Sequence, residues 1–350
     1  MQGILVGLGV LMIAATTVPL IRRDDWWIRV FDFPRLQITV LLAVALAGHL
    51  ALGNPGSGVE VAYLGALALA FVHQAYRMYP YTPLHRKQVQ RNGRAGEDSS
   101  VSLLFANVLM TNRCGAALLE LVRVHDPDVF LAVETDAWWE EALRPLEATY
   151  RHRVKQPQGN TYGMLLYSRL ELRDATVKFL IEDDVPSIHA CMVLRSGEQI
   201  ELRCVHPRPP APQESERSTE RDAELLVVGR ELKKLDRPAI VIGDLNDVAW
   251  SRTSKLFQNV SGLLDPRVGR GFYSTFNANW PLVRFPLDHA FHSRHFRLVD
   301  FRRLKRWGSD HFPVYVKLSF EPEARAEQEK PQASAEEKQE AQEKIVEAKQ

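Results

Sequence analysis

Three apolar runs crowd the first eighty residues: Ile4–Ile21, Leu36–Leu52 and Val59–Tyr76. The first carries no charge. The second is interrupted by Gln37, Thr39, Gly48 and His49, and the third by Glu60, His73 and Gln74. Each is about as long as the ~17–25 residues a helix needs to cross a bilayer, the second being marginal. A single such run reads equally well as a buried core helix. Three in succession, with Trp26-Trp27 and Tyr76, Tyr79 and Tyr81 at their edges, favour a membrane domain, because aromatic rings settle at the interface. Helices are therefore expected over 4–21, 36–52 and 59–78 in a transmembrane domain of residues 1–79, with two spans as the alternative.

Charge orients these runs. Met1-Gln2-Gly3 lacks the basic stretch of a cleaved signal, and Arg22-Arg23 follow the apolar run instead, the order of an uncleaved anchor with its N-terminus outside. The first loop carries Arg22, Arg23, Arg29 and Arg35. The second, Gly53–Gly58, has no basic residue, and Arg77, Arg86, Lys87, Arg91 and Arg94 follow the third run. Basic loops stay in the cytoplasm, so everything after the third run is expected there. A two-span path would place it outside.

Residues 80–100, with Pro80, Pro83 and Gly93, read as a linker. Strand-like runs follow at 102–109, 128–133, 163–167, 175–181, 188–194, 200–205, 239–243, 287–291, 296–301 and 313–319. Helical patterns are fewer, at 114–125, 136–147, 218–235 and 251–258. Many strands and few helices predict two packed sheets with helices outside, over residues 101–320. From Glu321 to the end the chain is rich in Glu, Lys, Ala and Gln, with Ile345-Val346 as a lone apolar pair, and is expected to be a disordered or transiently helical charged tail. The net charge of +1 supplies no global field for nucleic acid, although a local patch would suffice. Cys114, Cys191 and Cys204 form no even-numbered framework and are expected reduced, the last two as diagonal neighbours on adjacent strands.

Polar residues collect at the ends of the strand-like runs. Ala239-Ile240-Val241-Ile242 leads into Gly243-Asp244-Leu245-Asn246, which sets Asp244 and Asn246 on one side of an extended segment. Pro286-Leu287-Asp288-His289 and Ser309-Asp310-His311-Phe312-Pro313-Val314 come later. Asn107, Glu134 and His206 come earlier. Such a series points to a site for a hard cation and a phosphate.

Together these segments resemble the endonuclease/exonuclease/phosphatase superfamily, whose members include pancreatic-type DNase, apurinic endonucleases, neutral sphingomyelinases and inositol polyphosphate 5-phosphatases. Leu104-Phe105-Ala106-Asn107-Val108 is similar to the family's first strand. Asp126–Thr135 looks like the strand leading to its metal-binding Glu, and Tyr162–Arg169 like the entry to the next strand. Val205-His206-Pro207 falls where the family has a His. Gly243–Asn246 and Ser309–Val314 are the most specific matches, with Leu287-Asp288-His289 between them in the family's order. Two positions depart: Leu109 stands where a second polar residue is frequent, and Met164 where some nucleases carry a carboxylate. The resemblance implies a DNase-like two-sheet α/β sandwich flanked by helices, here of a membrane-anchored type expected in a bacterial inner membrane.

It also implies roles. Glu134 is the primary ligand of Mg²⁺, for which Mn²⁺ would substitute, with Asn107 and Asp310 completing the shell directly or through water. Asp244 orients or deprotonates the attacking water, and Asn246 donates to a phosphate oxygen. His311 contacts the scissile phosphate, with Asp288 fixing its tautomer. His206 stabilises the pentacoordinate state or supplies the leaving-group proton. Asn160 and Tyr162 are further phosphate contacts, and His289 is structural. Pro207–Asp222 and Gly262–Arg284, with Arg267, Arg270, Trp280 and Arg284, are candidates for substrate choice. The expected activity is metal-dependent hydrolysis of a phosphodiester or phosphomonoester, of a lipid headgroup or a soluble ester. A tethered nuclease and a non-catalytic scaffold are the alternatives. Nucleic acid is the less favoured partner, and no protein partner is expected.

Overall fold

The computed structural model describes residues 2–52, 57–91 and 96–350. Most of the uncharged second loop, and Gly93 and Arg94 of the expected linker, lie outside the described residues.

Three long helices open the chain: α1 (Gln2–Thr17), α3 (Arg35–Leu52) and α4 (Gly58–Met78), with a one-turn helix α2 (Trp26–Arg29) between the first two. All three are long and apolar enough to cross a membrane. They pack through Met12, Ala15, Ile38, Leu42, Ala45, Leu67 and Ala70. Ile4, Val10, Leu11, Val40, Val44, Val61, Leu69 and Val72 face outward. A bundle apolar inside and outside suits hydrocarbon better than water. One polar chain braces it. Arg35 Nη1 donates to Gln74 Oε1 (2.9 Å), and Gln74 Nε2 donates to Thr16 Oγ1 (3.1 Å), so each helix contributes one member.

The rest is a two-sheet sandwich. Strands β1 (Ser100–Asn107), β2 (Val129–Val133), β3 (His152–Gln156), β4 (Met164–Ser168), β10 (Phe296–Arg303) and β11 (Val314–Phe320) form one sheet, in the order β10-β11-β1-β2-β4-β3. Strands β5 (Glu171–Phe179), β6 (Pro186–Val193), β7 (Gln199–Val205), β8 (Ala239–Asp244) and β9 (Asp288–His292) form the other, in that order. Pairs β1–β2 and β7–β8 are parallel. The central strands are buried on both faces, which is why they read as unbroken apolar runs. Leu103 and Phe105 point into the core between the sheets with Ile240 and Ile242. Leu104 and Ala106 point outward beneath α5 (Gly115–His125) and α6 (Ala137–Ala142). Val241 lies beneath α7 (Thr219–Leu235) and α8 (Arg252–Ser261).

Several expectations are corrected. β3 reads His-Arg-Val-Lys-Gln and carries no apolar alternation, because it is an edge strand paired with β4 alone and half open to water. β5, an edge of the other sheet, starts earlier than the expected 175–181 and is bulged between Arg173 and Thr176. α6 stops at Ala142, and a 3₁₀ turn begins at Arg144, whose neighbour Pro145 cannot continue the ladder. Cys191 pairs opposite Glu201 and Cys204 opposite Ile188, so the two thiols project from opposite faces; all three cysteines are free. The linker lies along the sandwich: Val89 is fully buried, and Asp265 N–H donates to Gln88 Oε1 (2.9 Å).

The tail is also ordered. After a short helix α9 (Ala324–Glu327), α10 (Ala335–Glu347) starts at a Ser334–Glu337 capping box. Ala341 and Ile345, one turn apart, sit among Ala223, Leu226, Leu256 and Val260. Lys344 reaches Asp222 (2.9 Å) and Asp24. Burial alone would raise the Asp222 carboxyl, but Lys344 and Arg221 hold it down at about 2. Two apolar residues make too narrow a stripe to announce a docked helix; the groove between α7 and α8 completes it.

The bundle and the sandwich are joined by specific bonds. Trp250 Nε1 donates to Asp32 O (2.7 Å), Arg77 Nη2 to Trp250 O (2.6 Å), and Tyr81 Oη to Ala249 O (2.6 Å). The first loop docks as well, with Ser218 N–H on Asp24 O (2.8 Å). Thus the basic loop, the end of α4 and the sandwich share one side of the bundle.

Replacing Lys344 with Ala removes a partner from a buried carboxylate and should lower the unfolding free energy by about 1–3 kcal/mol, less than a fully buried pair because Arg221 remains. Denaturant titration of the detergent-solubilised protein measures it; an unchanged midpoint would mean that α10 contributes no docking energy.

Candidate functional site

The parallel strands deliver their C-terminal ends to one edge of the sandwich. Asn107 ends β1, Glu134 follows β2, His206 follows β7 and Asp244 ends β8. Asp288 starts β9 directly opposite Asp244. The β10–β11 connection brings in Asp310 and His311. Gly243 has φ +152°, and a Cβ there would fall 1.8 Å from Val205 O. Glycine is needed here to seat β8 against β7, not to admit a ligand.

Asn107 joins the two sheets. Its Nδ2 donates to Glu134 Oε1 (2.7 Å) and to Asp244 Oδ2 (3.0 Å). Its Oδ1 accepts from Leu109 N–H (3.0 Å), so the missing polar residue at 109 is replaced by a backbone donor. Glu134 Oε2 accepts from Met110 N–H (3.3 Å). His311 lies between two carboxylates, Nδ1 at 2.9 Å from Asp288 Oδ2 and Nε2 at 3.6 Å from Asp244 Oδ2. Leu109, Glu134 and Asn246 all have positive φ, a costly backbone for such residues that functional sites tolerate.

Residues 104–311 match the profile described as the Endonuclease/Exonuclease/phosphatase family. The chain belongs to that family. Its members are divalent-cation-dependent hydrolases of phosphoesters. The fold is shared with the catalytic domain of human Nocturnin with bound sulfate (17% identity, TM-score 0.53), aligned over 66% of this chain and 97% of that one. It is shared with D. rerio TDP2 humanised by 14 mutations (16%, 0.51; 63% and 99%). An endonuclease/exonuclease/phosphatase from Beutenbergia cavernae matches similarly (15%, 0.51; 65% and 72%). No curated protein matches the chain by sequence.

Within this family fold the expected residues do not all converge. Asn107, Glu134, Asp244, Asp288 and His311 form one bonded cluster. Asp310 adds its charge to Glu134 and His311. Asn246 donates its N–H to Asp244 Oδ1 (2.9 Å) and one amide hydrogen to Pro207 O (3.0 Å), which leaves the second amide hydrogen for a ligand. His206 is buried with Nδ1 unpartnered and packs against the Tyr162 ring at 5.5 Å. Tyr162 Oη donates to Glu214 (2.7 Å), and Asn160 Nδ2 donates to Asp184 O (3.2 Å). These two therefore brace the loop beside His206 instead of entering the carboxylate cluster. His289 is structural, held by Arg267 (2.6 Å) and Asp247 O (2.9 Å). Arg267 is itself buried in an ion pair with Asp265, so it leaves the substrate-choice set.

Two residues have roles that sequence reasoning did not assign. Ser309 Oγ donates to Asn107 O (2.9 Å) and accepts from His311 N–H (3.0 Å), stitching the loop to β1. Its place in the Ser309-Asp310-His311 run was the available signal. The Phe276 ring lies 4.9 Å from that of His311; it falls within the Gly262–Arg284 candidate segment, but nothing singled it out there.

Burial lifts the Glu134 carboxyl to about 7, with Asp244 and Asp310 adding to the rise. Burial also raises Asp288 and brings His206 down to about 4. At His311 burial works downward, but Asp288 and Asp244 outweigh it and raise the imidazole to about 10. One ligand atom each from Asp244, Asp288 and His311 lie within 4.8 Å of one another. His311 Nδ1 is already occupied by Asp288, and Asn107 presents its Nδ2 to Glu134 while its Oδ1 faces Leu109 N–H, so the oxygen donors left around Glu134 are carboxylates. A buried carboxyl held up by like charges is the environment a cation would relieve, so these residues fit the group the family uses.

Asp288→Asn keeps the shape and removes the charge that holds the imidazolium. His311 should then lose its proton at a pH lower by more than about one unit, since an adjacent carboxylate is worth 1–3 units. NMR titration of the cation-free protein reads this shift; an unmoved titration would remove Asp288 from its positioning role.

Proposed function

We propose that the protein is a membrane-anchored phosphoesterase that hydrolyses a phosphodiester or phosphomonoester with water, using Mg²⁺ or Mn²⁺. The observation that carries this reading is the bonded convergence of Asn107, Glu134, Asp244, Asp288 and His311 where the two sheets meet. Glu134 and Asp310 would hold the cation, joined by Asn107 Oδ1 once that amide turns from Leu109 N–H, and the cation would supply positive charge to the non-bridging phosphate oxygens. Asp244 takes the proton of the attacking water. Its carboxylate is aimed in advance, one oxygen held by Asn246 N–H and the other by Asn107 Nδ2. His311, kept protonated by Asp288, donates toward the scissile phosphate as charge develops there. Burial keeps His206 neutral at physiological pH, which suits a hydrogen-bond donor to the phosphorane better than a stored proton. Asn246 gives its remaining amide hydrogen to a phosphate oxygen. A tethered nuclease would use the same groups. The ion-paired state of Arg208, Arg221 and Arg267 beside the site favours a smaller ester over a polyanion.

Asp244→Asn and His311→Ala should each lower kcat by about 10²-fold or more. Chelation should abolish turnover and Mg²⁺ restore it, with Glu134→Gln needing more cation. The assay uses the full-length protein in detergent, with chromogenic diesters, phospholipids, DNA and RNA offered in parallel. Full turnover in excess chelator would refute the cation's role.

The three apolar helices and the basic loops support a path with the N-terminus outside and the catalytic domain in the cytoplasm. A C-terminal reporter that is active only outside the cytoplasm should stay silent; strong reporter activity would reverse the orientation.

A further inference from the structure

A cavity of about 1370 Å³ opens where the first turns of α3 meet α5, the end of β10 and the segment around 270–285. It exceeds the roughly 300–1,000 Å³ usual for drug-sized ligands. Its walls divide by chemistry. Leu36, Val40 and Leu41 of α3, Leu121 and Val124 of α5, and Leu282 form an apolar side. Val40, Val124 and Leu282 expose half or more of their surface there. The lining also carries Arg270, Arg284, Arg302, Arg303 and Lys305, and no carboxylate lines the cavity among the described residues. Arg302 is paired with Asp300 at the rim (2.7 Å). Arg284 and Arg303 donate to the backbone carbonyls of Asn277 and Ser274, and their guanidinium groups flank the Phe312 ring at 5.0 and 4.3 Å. Their charges are thus positioned but not neutralised. Lys305 is exposed and makes no hydrogen bond or ion pair among the described residues.

Position adds to composition. Leu36 to Leu41 is five residue-to-residue rises, so the apolar wall climbs ~7.5 Å along α3 from its sandwich end. Under the membrane reading of α3, that is the passage from headgroup level into hydrocarbon. Gln37 Nε2 donates to Leu282 O (2.9 Å), and Phe33 meets Phe285 edge-on at 5.7 Å, which fixes the loop against the helix. An acyl chain would lose little by leaving neighbouring lipid for this wall, and a phosphate would gain a row of cations. A zwitterionic headgroup would bring its own cation into an already positive site. A free phosphate would leave the apolar half bare.

We propose that this cavity binds one anionic phospholipid, with its phosphate at Arg284, Arg303 and Lys305 and an acyl chain along Leu36, Val40 and Leu41. The inference rests on the three helices lying in a membrane, and it stands apart from the hydrolytic chemistry. The lipid would sit one loop from the catalytic imidazole, because the segment that walls the cavity also carries Phe276 against His311.

The test is binding, read on full-length protein in zwitterionic detergent by titration with pyrene-labelled phosphatidylglycerol and phosphatidylcholine. The anionic probe should bind at least tenfold more tightly. Lys305→Glu with Arg303→Glu should remove that preference, and Val124→Glu, at an exposed position on the apolar wall, should do so independently; thermal unfolding checks that both variants are folded. Equal affinity for the two lipids, full binding by folded variants, or displacement by millimolar inorganic phosphate would each overturn the proposal. Hydrolysis of a soluble chromogenic diester, measured on the same preparations with and without chelator, tests the phosphoesterase reading separately.

Discussion

Four carboxylates, Glu134, Asp244, Asp288 and Asp310, are gathered around one imidazole at the seam between the sheets. Such an arrangement costs folding energy, because burying like charges is offset only by a counter-charge close at hand. His311 supplies one such charge, and its proton is held by the carboxylates it relieves. The unrelieved remainder falls on Glu134, whose carboxyl is pushed toward neutrality. The sandwich has to hold these groups against their repulsion. It does so with Asn107, which ties Glu134 on one sheet to Asp244 on the other, and with Ser309, which ties the His311 loop back to β1. A site able to accept a cation and a phosphate is thus kept under electrostatic tension by neutral hydrogen-bonding residues.

Much of this was legible in the chain because the two-sided burial of the central strands leaves a sharp signal. Asn107, Glu134 and Asp244 each end an apolar run, so their position at the sheet edge follows from counting. Edge strand β3 was not legible, since its outer side is solvated and its residues look like a loop. The docking of α10 was not legible either: Ala341, Lys344 and Ile345 acquire meaning against Asp222 and Val260, which are far away in sequence. The roles of Tyr162 and Asn160 changed for a related reason. Their polar atoms are engaged by Glu214 and Asp184, partners far away in sequence. Arg267 looked like a surface cation within a mixed loop, yet Asp265 two residues before it draws it inward.

The bonds between bundle and sandwich fall on the stretch that follows Asp244. Ala249 and Trp250 accept from Tyr81 and Arg77, while the Trp250 indole donates to Asp32. Among the described residues, the segment before β1 is itself bonded to the sandwich. Held in this way, the carboxylate site keeps one elevation and one bearing over the helices. An enzyme on a loose leash samples a hemisphere of solvent. One mounted rigidly meets what slides past at its own level, so its encounter rate would track molecules per unit area of surface instead of molecules per unit volume.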